Sequence, residues 1–252
     1  RAAARMALQL QNPLLSGQSL ANASLASIAL GKLKEAESLN EQALLEIQKL
    51  EPSHDQASLF ATIGQSYRMM VGKTPAGRER LISEARRVFQ LARASAERIG
   101  DAATLADSLG SLASLDELQG LTEPALLTTR RAIHHARQAD APDAIYRWEW
   151  QSARLLKDQG EAEAAMAAYR RAIETFQELR LDFARGFGNL APEAVFDGAE
   201  ESFEEGPGAL FFELADLLLQ KESSLKVPAA KQECLEEVLR TIESLRSAEL
   251  ED

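Results

Sequence analysis

The feature that most constrains this chain is a pattern of small residues that occurs four times. Gly31 is followed by Ala36, Asn40 and Ala43; after a longer loop come Ala85, Phe89 and Ala92. Gly120 is followed by Ala125, Thr129 and Ala132, and Gly160 by Ala165, Tyr169 and Ala172. The first alanines stand 49, 40 and 40 residues apart. Offsets of four and seven residues place each trio on one face of a helix. Alanine there lets a second helix approach closely, and the aromatic fills the gap beside it. A period of this length means stacked supersecondary units rather than one closed core.

Each of these helices needs a partner, and the sequence supplies one upstream. Ser19–Leu30, Gln56–Val71, Ala102–Gln119 and Asp143–Gln159 read as the first helices of four pairs. Ile63-Gly64 with Tyr67, and Leu109-Gly110 with Ala113, repeat an apolar residue, a glycine and a packing residue at matching offsets. Asp101 and Asp143 are suited to N-cap or first-turn positions. Pro13, Pro52, Pro75, Pro124 and Pro142 fall at expected helix starts or loops, where proline is tolerated. Composition agrees. Of 252 residues only 14 are glycine and 8 proline, and aromatics are 6%, which is poor material for an all-β fold. No apolar run approaches the roughly 18 residues of a membrane span.

The order apolar-glycine, tyrosine, glycine, alanine, aromatic, alanine resembles tetratricopeptide (TPR) repeats. The resemblance runs in register from Gly17 to about Leu179 and implies an all-α fold, a right-handed TPR-like α-solenoid of about four helix pairs. The chain departs from the usual pattern in three ways. Its period of about 40 implies longer helices, as in kinesin-light-chain-like repeats. Lys73–Arg78 is an insertion in the second repeat. Ser152-Ala153 stands where leucine-glycine is usual. The expected division is a repeat domain over 1–179 and a loop with a helical connector over 180–252.

In that second part, Arg185-Gly186-Phe187-Gly188 and the acidic run Glu200–Glu205 read as loop or short helix. Ala209–Gln220 reads as a helix that is apolar nearly all round and therefore buried. Ala229–Leu250 reads as an amphipathic helix with Cys234, Leu235, Val238, Leu239, Ile242 and Leu245 at core spacing. Phe211–Leu219 and Ile242–Asp252 resemble the connector of bacterial CHAT-domain proteins, in which a caspase-like, separase-like peptidase follows TPR repeats. That resemblance implies a peptidase domain in cis beyond Asp252, and it places the family's His-Cys pair there.

The chemical motifs reduce to structure. Gly72-Lys73-Thr74 matches the end of a phosphate loop, but Tyr67 stands where that loop needs its first glycine. His134 and His135 are adjacent, so they point about 100° apart and cannot grip one metal together. Cys234, the only cysteine, permits no internal disulfide, and its apolar helix face with no nearby histidine argues against a nucleophile. The run Glu200–Glu205 lacks the glycine and ligand spacing of a calcium loop. No catalytic residue, metal or cofactor is expected.

In stacked helix pairs the first helices line the concave side. That alignment turns inward Gln65, Arg68 and Met69 in repeat two, Asp107 and Ser111 in repeat three, and Arg147, Trp150, Gln151 and Arg154 in repeat four. Trp148 falls on the core face with Ile145, Leu155 and Leu156. Trp150, with Arg147 and Arg154 at i−3 and i+4, has two readings: a peptide-capturing side chain with a cation–π option, or packing on the next repeat. Ala21 and Leu25 occupy the positions of the first clamp pair in chaperone-binding repeats, so chaperone tails are not the expected ligand. The net charge of 28 − 39 = −11 disfavours direct nucleic-acid binding unless a local basic strip exists, and no membrane association is expected. The reading is a non-enzymatic protein-interaction and regulatory domain, with a protein or peptide partner in the groove. The rivals are a free-standing adaptor and, far behind, an uncharted helical hydrolase. A cytoplasmic location is expected. Because the chain opens at Arg1 without methionine, it reads as a cut piece, which leaves an exported compartment open.

Overall fold

The computed structural model describes residues 12–74, 77–186 and 207–250. Among them are ten α-helices and no strand: α1 (Pro13–Ala29), α2 (Leu33–Ile47), α3 (His54–Val71), α4 (Arg78–Ile99), α5 (Ala102–Leu118), α6 (Thr122–Gln138), α7 (Pro142–Asp158), α8 (Ala162–Gly186), α9 (Pro207–Ser224) and α10 (Pro228–Leu250). They form two compact units divided between Ala141 and Pro142.

Local chemistry sets the helix ends. Asn12, Ser53 and Asp101 cap α1, α3 and α5 by accepting from the backbone N–H groups of Leu15, Gln56 and Thr104. Pro13 at the first position of α1 supplies a preset φ, so that helix begins earlier than the apolar pattern alone indicates. The glycines that open the repeat pattern terminate the first helices. Gly31, Gly120 and Gly160 have φ of 70°, 73° and 79°, where a Cβ would strain the backbone.

In the first unit, α1/α2, α3/α4 and α5/α6 pack as helix pairs, and α1, α3 and α5 also pack against one another in succession. The alanine pattern forms the seams: Ala36, Ala43, Ala85, Ala92 and Ala125 are fully buried, with Tyr67 and Phe89 between them. Gly64 lies so close to α4 that an added Cβ would meet the Phe89 ring at 2.7 Å. Repeat one uses a different filler. Asn40, at the aromatic position, is fully buried, and its Nδ2 donates to Ser66 Oγ at 2.9 Å. Ser24 Oγ joins that hydroxyl at 2.9 Å and donates to the Ala36 carbonyl, so α1, α2 and α3 share one buried polar node. Buried Gln56 donates to the carbonyls of Ile47 and Leu50 and accepts from Ser95 Oγ at 2.7 Å, tying α2, α3 and α4 together.

In the second unit α7 and α8 form the fourth pair, α9 packs on α8, and α10 packs on α9. Ala165, Tyr169 and Ala172 are fully buried, and Trp148, Leu155 and Leu156 are core residues. Phe176 joins the elements, its ring 5.4 Å from Tyr146 and 6.2 Å, edge-on, from Phe211.

Three expectations for this region need correction. The chain does not leave the helix after Leu179: α8 continues through Gly186. The run Glu200–Glu205 lies outside the described residues. Helix α9 is not buried all round, since Phe212 and Leu219 are 50% and 42% exposed. Nor do all the apolar residues of α10 reach the core. Cys234, Val238, Thr241 and Leu245 are buried, whereas Leu235 and Leu239 are 42% and 60% exposed. A helix with so few neighbours covers one narrow stripe, and here that stripe is only part of a wider apolar face.

Candidate protein-interaction surface

In the first unit the first helices lie side by side, so a middle helix such as α3 is flanked on both sides and shows only a narrow strip. Gln65 and Arg68 lie half-buried on that strip, with Met69 exposed beside them. Arg68 Nε donates to Gln65 Oε1 at 2.9 Å, which fixes the guanidinium along the helix. On α5, Asp107 and Ser111 are likewise half-buried, one turn apart. Between them the two helices present a cation, a carboxylate, amide and hydroxyl groups and one flexible thioether at half-buried or exposed positions.

In the second unit α7 carries the other four candidates. Trp150 is half-buried, and its Nε1 donates to Glu213 Oε2 of α9 at 2.7 Å. The Tyr169 hydroxyl donates to the same oxygen at 3.0 Å. Burial, and then the Glu213 carboxylate, hold the Tyr169 phenol well above its ordinary pKa, so it stays a donor at all physiological pH. Arg154 lies over the Trp150 ring, 5.2 Å from its centroid. Arg147 turns away: it lies 5.3 Å from the Trp148 ring and pairs with Asp143 at 3.2 Å. Gln151 is 1% exposed. Trp150 thus takes part in the seam between α7 and α9, with Arg154 stacked on it as the i+4 spacing requires.

Sequence reasoning missed Glu213, which is 63 residues from Trp150 and belongs to no local pattern. It also missed Glu149, 2% exposed and paired with Arg171 at 2.8 Å. Across α8, α9 and α10 an open groove of about 240 Å³ is lined by Arg170, Gln177, Leu214, Glu237, Thr241 and Ser244. The Arg170–Glu237 ion pair, at 2.6 Å, bridges it. The His134 and His135 rings meet edge-on, and His54 bonds Asp101 at 2.7 Å. Cys234 is buried, its Sγ donating to the Leu218 carbonyl at 3.1 Å.

No known family's sequence profile matches this chain, and no curated protein matches it. Solved structures do. BtubC (BKLC) from P. vanneervenii superposes with a TM-score of 0.67 at 15% identity, over 97% of this chain and 89% of that one. A putative kinesin light chain of Podosopora anserina with nearly identical TPR-like repeats gives 0.57 at 14% identity, over 92% and 95%. A single-substitution variant of that kinesin light chain gives 0.57 at 14% identity, over 89% and 93%. At these identities the likeness shows the fold: an all-α, TPR-like helical repeat.

Proposed function

We propose that this chain is a non-enzymatic protein-interaction module whose first helices receive a peptide or extended protein segment. The observation that carries the reading is the strip Gln65, Arg68, Met69, Asp107 and Ser111, half-exposed on helices whose other faces are packed. The TPR-like fold supports it, because such repeats expose a continuous surface of this kind. On α7, treated by itself, the reading keeps Trp150, anchored through Glu213, and Arg154 over its ring; Gln151, 1% exposed, and Arg147, turned to Asp143, are withdrawn from it.

The narrower proposal is that the module is the regulatory N-terminal part of a CHAT-type caspase-like protease, with α9 and α10 relaying partner binding to a peptidase in cis. The exposed stripe of Leu235 and Leu239 on α10 supports a connector role, because a following domain gains by covering it. The test has two arms. A displayed peptide library is selected on the full chain, and binders are re-measured on Arg68→Glu and Met69→Ala. A loss of at least about 2 kcal/mol with unchanged melting supports the groove, and binding insensitive to both variants removes it. The coding sequence beyond Asp252 decides the narrower proposal: a caspase-like His and Cys support it, and a stop codon leaves a free-standing adaptor.

A further inference from the structure

Helix α6 carries a face that the inner-groove reading does not use. At about 100° per residue, Leu127, Arg130, Arg131, His134, Arg137 and Gln138 fall within an arc of roughly 120° that extends about 15 Å along the helix. The opposite arc is the buried one, with Ala125, Leu126, Thr129, Ala132, Ile133 and Ala136. Leu127 is 64% exposed, and Arg130, Arg131, His134 and Arg137 are all exposed. The only acidic residue of α6 is Glu123, one turn before Leu127. In a chain with a net charge of −11, this is a local basic strip.

Most arginines in the middle of α4 and α8 are paired, although Arg98 at the end of α4, like Arg130 and Arg131, shows no carboxylate partner among the described residues. On α4, Arg86 pairs with Asp116 at 2.7 Å, Arg87 with Glu84 at 2.8 Å and Arg93 with Glu97 at 2.8 Å. On α8, Arg170 and Arg171 pair with Glu237 and Glu149. Arg130 and Arg131 have no carboxylate partner among the described residues. Helix stability does not account for them. Cations favour a helix C-terminus only within its last turn, which covers Arg137 but not Arg130 or Arg131.

We propose that the outer face of α6 binds an acidic segment of a partner protein, with an apolar side chain over Leu127 followed by carboxylates that pair with Arg130 and Arg131. Guanidinium forks suit carboxylates. Exposed Leu127 at the head of the strip favours a peptide over a phosphate backbone. A long polyanion also meets the repulsion of the rest of the chain, whereas a short acidic peptide senses mainly charges within a Debye length of about 8 Å. The proposal stands independently of the inner groove.

The experiment is fluorescence anisotropy of a short labelled peptide of repeated Leu-Glu-Glu, titrated with the full chain at low ionic strength. Binding is expected to weaken roughly tenfold or more in the double variant Arg130→Glu, Arg131→Glu, less in Leu127→Ala, and not at all in Arg93→Glu, whose arginine is already paired. The neutral pair Arg130→Gln, Arg131→Gln reads the same loss should charge reversal reduce helix content. Equal binding of a Leu-Gln-Gln peptide, or indifference to both double variants with melting unchanged, overturns the proposal. Tighter binding of oligothymidylate than of the peptide also overturns it and makes the face a phosphate reader.

Discussion

Gly64 and Asp101 show how single residues set this fold. A methyl group at Gly64 would press to 2.7 Å on the Phe89 ring, which is 1% exposed and has nowhere to go. Gly64→Ala should therefore separate α3 from α4 and cost about 1–3 kcal/mol in denaturant unfolding. An unchanged midpoint would mean that the seam is looser than the contact implies. Asp101 is a matter of charge. Its own burial pushes the carboxyl up, but hydrogen bonds from Thr104 and His54 outweigh this and hold it below the usual carboxylate range. Because the folded value lies below the unfolded one, the stabilisation is complete above the unfolded value near 3.9 and is lost as pH falls through the folded one. Wild type should exceed Asp101→Asn in stability at neutral pH, with the gap closing in acid. A gap that persists through acid would assign the effect to packing instead. The cap was legible in the sequence, since an aspartate precedes an apolar-periodic run. The clasp from His54, 47 residues away, was not.

Among the elements, the four helix pairs could be read from sequence because alanine, glycine and aromatic positions repeat in register, and those side chains are the ones the seams bury. What could not be read was how many neighbours each helix would have. Amphipathicity placed Leu235 and Leu239 with Val238 on one apolar face of α10, but only the side toward α9 and α8 is covered. Leu235→Lys with Leu239→Lys should therefore change melting little, within about 0.5 kcal/mol, as at other surface positions. Val238→Ala should destabilise clearly, and equal losses in the two would show that the whole face is packed. The repeat alignment alone placed Gln65, Arg68, Met69, Asp107 and Ser111 at positions that are half-buried or exposed, and their use as a binding surface is the proposal. The Trp150–Glu213–Tyr169 bonds were not, because they join α9 to a helix pair far upstream. Trp150→Phe and Glu213→Leu remove the two ends of one bond, so their double-mutant cycle should show a coupling of about 0.5–3 kcal/mol. Full additivity in the cycle would demote the contact to coincidence.

For the whole molecule the question is whether the chain has chemistry of its own. Cysteine catalysis needs an exposed thiolate, an oriented base and donors for an oxyanion. The one cysteine, Cys234, is 6% exposed and gives its hydrogen bond to the Leu218 carbonyl, a structural use of the thiol. Of the three histidines, His54 is engaged by Asp101, and the rings of His134 and His135 on α6 meet edge-on. The chain as given should cleave no peptide in a broad fluorogenic panel. Cys234→Ser keeps a donor for the Leu218 carbonyl and should shift stability only slightly. In a longer natural chain, if a peptidase follows, the same substitution should leave cleavage intact. Deleting Phe211–Asp252 while retaining that peptidase should instead disconnect cleavage from partner binding, because α9 and α10 are the proposed relay. Loss of cleavage on Cys234→Ser, with melting and helix content unchanged, would place the nucleophile inside this chain and overturn the non-enzymatic reading.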